Sequence, residues 1–224
     1  MSANSTVEGH VASAMTVRTV TAKSVMLNEN SFWVLYSQHT EPTYIEDAGA
    51  GQQAQRDNGL RYVKQWRNAI DVGANVGEWT RPLAKKFKRV VCFEPNPNFR
   101  KCFVKNITET NVVLWPYGLS EKEHKAKQNF NATQLQNEDG NIDCRPLDSF
   151  RFTDVDYIKI DVDGFEIPVL RGASWTLQKN SPVINIEMKR RKRPEIVAQA
   201  QFILQRWGYK FVSRERSDEI WIKK

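Results

Sequence analysis

Four charged residues have positions that could support chemistry, because each lies within or directly after a short apolar run. These residues are Asp71, Glu94, Asp161 and Lys189. Such runs are typical of buried strands, and the carboxyl ends of parallel strands meet at one edge of a sheet. At that edge, carboxylates can hold a cationic or hydroxyl-bearing ligand, and a carboxylate or an amine can assist the deprotonation of a hydroxyl group.

The segment 70–77, Ile-Asp-Val-Gly-Ala-Asn-Val-Gly, predicts how the first of these residues is positioned. It predicts the end of a strand, a glycine turn, and a helix that begins at Glu78. Glycine permits backbone angles and close approach that a side chain would prevent. The free N–H groups of a helix N-terminus face whatever lies over the turn, which predicts a nucleotide-type cofactor site. The turn residues are Gly73, Ala74, Asn75 and Gly77.

The residues between the glycines favour S-adenosylmethionine (SAM) over a dinucleotide as the cofactor. A dinucleotide-binding turn has glycine at three positions, and two of these are occupied here by Asn75 and Glu78. The Glu78 carboxylate at a helix N-terminus would repel a pyrophosphate. Asp71 suits a cationic ligand group, and SAM carries an ammonium and a sulfonium but no phosphate. A plain strand-turn-helix, with Asp71 as a capping residue, is the alternative.

The second predicted strand ends in Glu94-Pro95-Asn96. In sheets of this type, an acidic residue about 20 positions after the glycine turn holds the ribose hydroxyls of the cofactor. Two hydroxyl donors to one carboxylate make charge-assisted hydrogen bonds. We therefore expect Glu94, Pro95 and Asn96 on the ribose side of the site, and Leu119, after the third strand, on the adenine side.

Three motifs together resemble the FkbM family of SAM-dependent methyltransferases. They are the turn segment 71–77, Phe-Glu-Pro-Asn-Pro at 93–97, and Lys-Ile-Asp-Val-Asp-Gly-Phe-Glu at 159–166 followed by Leu-Arg-Gly-Ala at 170–173. The resemblance spans residues 60–190, with Asp163 where the family more often has Glu. It implies a SAM-dependent enzyme that methylates hydroxyl groups of saccharides or natural products.

Asp161 ends the fourth predicted strand, beside the expected position of the transferred methyl group. It could accept the proton of an attacking hydroxyl, hold the SAM amine, or hold the acceptor. A helix cap or a partner of Lys159 is the alternative. Asp163 and Glu166 are typical of a helix start, where the dipole favours carboxylates. Acids at this spacing could hold Mg²⁺, but no second carboxylate cluster supports a metal, so none is predicted.

A basic run, Lys189–Arg193, follows the fifth predicted strand. A rim of this charge attracts phosphates, acidic sugars or nucleic acid, although a charge run is usually a solvated surface. Segment 210–222 is similar to the C-terminal strand signature of RNA 2′-O-methyltransferases, in which a Lys-Asp-Lys-Glu tetrad tunes a ribose hydroxyl. Carried to this chain, that resemblance assigns Lys64, Asp161, Lys189 and Glu219 as catalytic residues.

Alternating strand and helix patterns predict an α/β fold, a doubly wound Rossmann-like methyltransferase sheet. The sheet is expected to be mostly parallel, with an antiparallel C-terminal edge hairpin. The predicted strands after the glycine turn are 90–93, 112–117, 157–162, 182–188, 209–212 and 219–222. The main predicted helices are 52–66, one from Glu78, 165–177, and one from Pro194. Residues 121–141 are predicted to be a surface excursion.

Composition indicates a globular protein with one domain. The chain has 224 residues, 40% hydrophobic and 26% charged, which predicts one domain at 29–224. Residues 1–28 hold many Ser and Thr and few large apolar side chains, which predicts a loosely ordered leader. No apolar run of about 18 residues predicts a membrane span, and no secretory signal is recognised. The three cysteines, Cys92, Cys102 and Cys144, have no paired spacing, so we expect a reduced, cytoplasmic location.

The sequence therefore predicts a SAM-dependent O-methyltransferase whose acceptor is a hydroxyl of a saccharide or small natural product. The first alternative is 2′-O-methylation of RNA or another nucleic-acid ribose. The net charge of +7 is in keeping with an acidic or phosphate-bearing partner. The second alternative is a SAM-binding protein without transferase activity. The sequence does not indicate an oligomeric state.

Overall fold

The structure is a computed structural model that describes residues 24–36, 51–127 and 140–223. Most of the predicted leader, residues 1–23, lies outside the described residues, as do residues 128–139 of the predicted surface excursion. Across the three described ranges, no helix is long and apolar enough to cross a membrane.

The main sheet has seven strands in the order β11-β12-β10-β9-β3-β4-β5. Its strands are β3 (Asn68–Val72), β4 (Arg89–Phe93), β5 (Val112–Trp115), β9 (Val155–Ile160), β10 (Val183–Glu187), β11 (Tyr209–Glu215) and β12 (Asp218–Lys223). From β5 through β10 every neighbouring pair is parallel, whereas β12 runs antiparallel to β10 and to β11. The predicted doubly wound sheet with an antiparallel C-terminal hairpin is therefore confirmed.

Helices cover both faces of this sheet. They are α1 (Gln53–Leu60), α2 (Thr80–Ala84), α3 (Pro97–Asn106), α4 (Glu166–Gly172), α5 (Ser174–Asn180) and α6 (Pro194–Arg206). Side chains alternate along each strand, so Ile70 packs in the core under α4, α5 and α6, while Ala69 packs under α1, α2 and α3. This alternation decides which charged residues can reach the same side of the sheet.

Two smaller sheets complete the described fold. A hairpin of β1 (Ser24–Leu27) and β2 (Trp33–Tyr36) contributes Phe32 and Val34 to a cluster with Phe99 of α3. A three-stranded sheet contains β6 (Gly118–Leu119), β7 (His124–Ala126) and β8 (Ile142–Arg145), in the order β6-β8-β7. Part of the predicted excursion at 121–141 is thus a paired strand, because β7 is antiparallel to β8.

The predicted helix 165–177 is two helices, α4 and α5, and that prediction was wrong. A Cβ at Gly172 would lie 1.9 Å from the Ser120 carbonyl oxygen, so the end of α4 is pressed against the neighbouring backbone. The second helix has its own N-terminal partner, because Asp148 accepts hydrogen bonds from the Trp175 and Thr176 N–H groups at 2.8 Å each. Such capping stabilises a helix start, and it comes from a remote 3₁₀ turn, Leu147–Phe150.

Two other helix boundaries differ from the predictions. The helix expected from Glu78 begins at Thr80, because residues 74–77 form a turn closed by the Gly77 N–H donating to the Ala74 carbonyl at 2.8 Å. The helix expected over 52–66 ends at Leu60, and a turn at 61–62 followed by an irregular segment leads from there into β3.

Candidate active site

A cavity of about 590 Å³ lies over the carboxyl ends of β3, β4, β9 and β10 and beside the start of β12. Cavities of this size hold cofactor-sized ligands. Eight residues predicted for the site line it: Gly73, Ala74, Asn75, Glu94, Pro95, Leu119, Asp161 and Lys189. Five predicted residues do not: Lys64, Asp71, Gly77, Asn96 and Glu219.

The turn after β3 is held close to the ends of both neighbouring strands. The Gly73 N–H donates to the Phe93 carbonyl at 3.0 Å, and the Asp161 N–H donates to the Val72 carbonyl at 3.0 Å. Gly73 has φ +80°, and a Cβ there would lie 2.0 Å from the Asp161 carbonyl oxygen. Glycine is therefore required at this position, and it brings the cofactor turn against Asp161.

Glu94 connects the end of β4 to the same turn. Its carboxylate accepts hydrogen bonds from the Asn75 N–H at 2.8 Å and the Asn96 N–H at 2.7 Å. The side chain is buried, and burial raises the pKa of Glu94 to about 7. The carboxylate keeps unused acceptor lone pairs on both oxygens, so it can still receive ribose hydroxyls from the cavity side.

Three residues predicted to bind the cofactor do not line the cavity and make other contacts in the structure. The Asp71 carboxylate is fully buried and accepts a hydrogen bond from the Thr80 hydroxyl at 2.7 Å. Gly77 has φ +95°, and a Cβ there would lie 2.8 Å from Ile107, so it serves packing against the end of α3. Asn96 is the N-cap of α3, where its side chain accepts the Asn98 N–H at 2.9 Å.

Strand register places three carboxylates in one row at the far end of the cavity. Ile160 pairs with Ile186, so Asp161 and Glu187 follow at the same level, and Glu187 in turn pairs with Asp218 of β12. All three line the cavity. The Asp161 and Glu187 carboxyl groups hydrogen-bond to each other.

Two lysines, Lys159 and Lys189, lie next to these carboxylates, and each forms an ion pair with a carboxylate of the cavity wall. Lys159 is buried, its Nζ lies 3.1 Å from Asp161 Oδ2, and it also lies over the Trp79 ring at 5.0 Å. Burial alone would lower the pKa of Lys159, but the charges of Asp161, Asp71 and Asp218 outweigh burial and raise it. Lys189 Nζ contacts Asp163 and lies 2.8 Å from Glu187 Oε2. Its pKa is also raised, since these two carboxylates outweigh burial, so both lysines are cations.

The structure places Glu219 on the opposite face of the sheet from the cavity. Side chains alternate along β12, so Asp218 faces the cavity and Glu219 faces α6. Glu219 has no exposed surface, and Trp221 Nε1 donates to it at 3.2 Å. Its other donors are Arg190, Arg214 and Gln201. We call Glu219 a structural anchor, because its carboxylate holds side chains from several elements together through hydrogen bonds.

Lys64 is exposed in the segment before β3. It therefore lies at the amino edge of the sheet, one strand length from the cavity at the carboxyl edge. The structure does not bring the four tetrad residues together, and only Asp161 and Lys189 share the cavity. A tetrad built from these four residues is not assembled.

Sequence reasoning missed several residues of the cavity wall, above all Asp218. The period of two along a strand was the available signal, because it distinguishes residue 218 from residue 219. Applying this period to β12 requires the exact register of β12 against β10. That register depends on the tight turn at Arg216 and Ser217. Lys159, Glu187, Trp79 and Gln52 also line the cavity.

The chemistry of the cavity fits SAM better than a phosphate-bearing cofactor. One end presents the Glu94 carboxylate, which suits a ribose diol, and Asp161, next to the glycine turn, suits an ammonium and a sulfonium. Phe93, Phe99 and Leu119 add apolar wall. Within the described ranges, no group of three or more His, Cys, Asp or Glu has the arrangement of a metal site. Fold and cavity together define a Rossmann-like protein of the SAM-binding class.

Sequence comparison identifies the family. The profile of the family described as Methyltransferase FkbM domain matches residues 71–211, more than half of the 224-residue chain. The chain therefore belongs to the FkbM methyltransferase domain family, and that membership implies SAM as the cofactor. Among curated protein sequences, none matches the chain.

Solved structures agree on the fold. Methyltransferase FkbM from Methylobacillus flagellatus is 22% identical with a TM-score of 0.53, over 71% of this chain and 44% of that one, so this chain spans less than half of its length. An rRNA methylase from Streptococcus thermophilus is 12% identical with a TM-score of 0.52, over 84% of this chain and 99% of that one. A Streptococcus mutans protein solved in complex with SAH is 11% identical with a TM-score of 0.51, over 76% and 94%.

Proposed function

We propose that this protein transfers the methyl group of SAM to a hydroxyl oxygen of an uncharged, polyhydroxylated acceptor such as a saccharide or small natural product. The observation that carries the proposal is the cavity itself, with Glu94 at one end and a row of carboxylates at the other. Glu94 suits the ribose of the donor, and Asp161, next to the glycine turn, suits its ammonium and sulfonium. Hydroxyl groups of an acceptor can donate hydrogen bonds to the remaining carboxylate oxygens.

The residues of the chain contribute mainly by positioning. Bound SAM supplies an electrophilic methyl group for in-line attack. Glu94 holds the ribose end, and the turn at Gly73 fixes the donor beside Asp161. Asp161, held by Lys159, provides a fixed negative charge close to the reacting groups. The Lys189 ammonium offsets negative charge that develops on the acceptor oxygen. Holding two reactants in line removes much of the entropic barrier to transfer.

Electrostatics favour an uncharged acceptor over nucleic acid. Of the basic run 189–193, Lys189 is paired with Asp163 and Glu187, Arg190 with Glu219, and Arg193 lies 4.0 Å from Asp163. Arg191 and Lys192 are the members of the run without a carboxylate partner among the described residues. Recognition of a phosphate backbone depends on unpaired cations, so the 2′-O-methylation of RNA is the second candidate.

A transfer experiment with methyl-labelled SAM tests the acceptor class. The protein is incubated separately with a pool of neutral glycans, a pool of acidic glycans, and total RNA, and the label in each pool is counted. We expect label in the neutral glycans. Label in RNA alone would replace the proposal by its second candidate. Absence of label from every pool, with S-adenosylhomocysteine bound, would favour a SAM-binding protein without transferase activity.

Replacement of Glu94 tests the cofactor assignment separately. We expect Glu94→Ala to weaken S-adenosylhomocysteine binding by about 10- to 100-fold, because two charge-assisted hydrogen bonds to the ribose are lost at about 1.5 to 3 kcal/mol each before relaxation. Titration calorimetry measures the affinity. Glu109→Ala is the matched control, since Glu109 is a loop carboxylate outside the cavity wall. Equal affinities of the two variants would contradict the assignment of Glu94.

Cysteine chemistry supports a proposed location in a reducing compartment such as the cytoplasm. Cys92, Cys102 and Cys144 are all buried and free. Burial raises the pKa of Cys102 and of Cys144 to about 11, so both thiols stay protonated and unreactive.

A further inference from the structure

The proton of the acceptor hydroxyl needs a destination, and the row of carboxylates at the acceptor end is where it can go. Methyl transfer to oxygen releases one proton for each methyl group transferred. Asp161, Glu187 and Asp218 share this end of the cavity with Asp163 and two lysines. A base must be ionised, within reach of the hydroxyl, and not already occupied by strong partners. These three criteria separate the candidates.

Asp161 and Glu187 are occupied by each other and by lysines. Asp161 receives Lys159 at 3.1 Å and a hydrogen bond from Glu187. Burial opposes ionisation of Asp161, but Lys159 and the bond from Glu187 lower its pKa, which makes it a weak base. Burial and the charge of Asp161 raise the pKa of Glu187 to about 8. Glu187 shares a proton with Asp161, and its Oε2 lies 2.8 Å from the Lys189 ammonium, so it is already occupied by strong partners.

The other ionisable groups at this end of the cavity also have partners or charges that prevent them from acting as the base. Lys159 and Lys189 are cations with raised pKa values, so neither takes up a proton. Asp163 contacts the Lys189 ammonium and lies 4.0 Å from the Arg193 guanidinium.

Asp218 is the carboxylate that stays available. It lines the cavity, yet the residue is only 6% exposed. Among the described residues, no side-chain hydrogen bond or ion pair within 4 Å occupies its carboxylate. Burial raises the pKa of Asp218 to about 7, and the nearby charge of Asp161 adds to this effect while Lys159 and Lys189 oppose it.

We propose that Asp218 is the catalytic base, and that its carboxylate accepts the proton of the acceptor hydroxyl during methyl transfer. This inference rests on the proposed function. The acceptor oxygen forms a bond to the methyl carbon as the sulfur–carbon bond breaks, and the electron pair of that bond stays on sulfur. The hydroxyl proton passes to Asp218 and then to solvent. Lys189 lies on the same wall and stabilises the oxygen as it loses the proton.

The pH dependence of the reaction follows from the surroundings of Asp218. Lys159 and Asp161 face it from β9 and its end, Glu187 and Lys189 face it from the end of β10, and Arg216 lines the cavity from the adjoining turn. Because a base acts only when ionised, the rate should rise with pH and level off above about 7.

A rate measurement tests the role of Asp218 as the base. It follows the transfer of label from SAM to the acceptor pool that the wild-type protein methylates. We expect Asp218→Asn to lower the turnover rate by about 100-fold or more, the usual contribution of a general base, with the affinity for S-adenosylhomocysteine unchanged. Asp218→Glu, which keeps a carboxylate, should restore part of the rate. Asp143→Asn is the matched control, since Asp143 is an exposed aspartate of the small sheet. A near-normal rate in Asp218→Asn, with the pH inflection retained, would overturn the proposal and leave the proposed function standing.

A titration independent of activity tests the carboxylate directly. The side-chain carboxyl carbon of Asp218 is followed by ¹³C NMR in the wild-type protein from pH 4 to pH 9, with assignment through bonds, so the test does not require a variant to fold. An inflection near pH 7 supports the proposal, and one below about pH 5 overturns it. If no pool is labelled, the proposed function fails, and this titration still decides whether Asp218 is a poised base.

Discussion

Gly73→Ala is expected to destabilise the protein by about 3 to 5 kcal/mol, a loss that combines left-handed backbone strain with overpacking. Gly73 has φ +80°, and the added Cβ would lie 2.0 Å from the Asp161 carbonyl oxygen. Because that oxygen belongs to the backbone at the end of β9, it cannot swing away as a side chain would. The shift required would also separate the cofactor turn from Asp161. Urea unfolding of the variant and the wild type measures the loss of unfolding free energy.

Gly208→Ala is the control that separates the two causes. Gly208 has φ +83°, nearly the same conformation, but the nearest atom to an added Cβ is the Lys223 side chain at 3.5 Å. The Gly208→Ala variant should therefore lose only about 1 to 2 kcal/mol of unfolding free energy, because backbone strain is its single cost. Its affinity for S-adenosylhomocysteine should be unchanged. Equal losses at the two positions would contradict the close approach of the β3 turn to Asp161.

Glu219→Ala is expected to destabilise the protein by about 3 kcal/mol without weakening S-adenosylhomocysteine binding. The Glu219 carboxylate has no exposed surface and is the acceptor for Arg190, Arg214, Gln201 and Trp221. Removing it leaves buried donors without a partner, which is costly. The partial exposure of the two arginines limits the cost, because water can reach them. Thermal or urea unfolding measures the stability, and calorimetry the affinity.

The same variant decides between an anchor and a tetrad member. A tetrad residue would lose methyl transfer with its stability kept, whereas the anchor loses stability while the folded protein keeps its transfer rate. Glu215→Ala is the control, since Glu215 is a half-buried glutamate on the same hairpin, and it should change the stability by no more than about 0.5 kcal/mol. Loss of transfer in folded Glu219→Ala would restore the tetrad hypothesis.

Local chemistry explains why part of the cavity wall could be predicted from the sequence. Gly73, Glu94 and Asp161 each follow a strand of recognisable apolar pattern, and the ends of parallel strands must meet at one edge of the sheet. The doubly wound order with its antiparallel hairpin is confirmed by the observed sheet. The conformation demanded at Gly73 is likewise a property of a few adjacent residues.

The far end of the cavity depends on which face of the sheet each side chain takes, and that was not predictable from the sequence. One residue of register separates Asp218, in the cavity, from Glu219, under α6. The sequence contains both carboxylates in a similar local pattern, so only the pairing of β12 with β10 distinguishes them. The pairing of the basic run 189–193 with remote carboxylates is also a tertiary effect, since those partners come from different elements of the chain.

The sequence by itself determined the family, the sheet and the glycine turn, because each depends on residues that are neighbours in the chain or on the periodicity of one element. Only the tertiary structure decided which charges are free and which are neutralised. That property depends on distances between side chains from β9, β10 and β12, and on burial that shifts the pKa of Asp218 and Glu187 in ways that no single segment encodes.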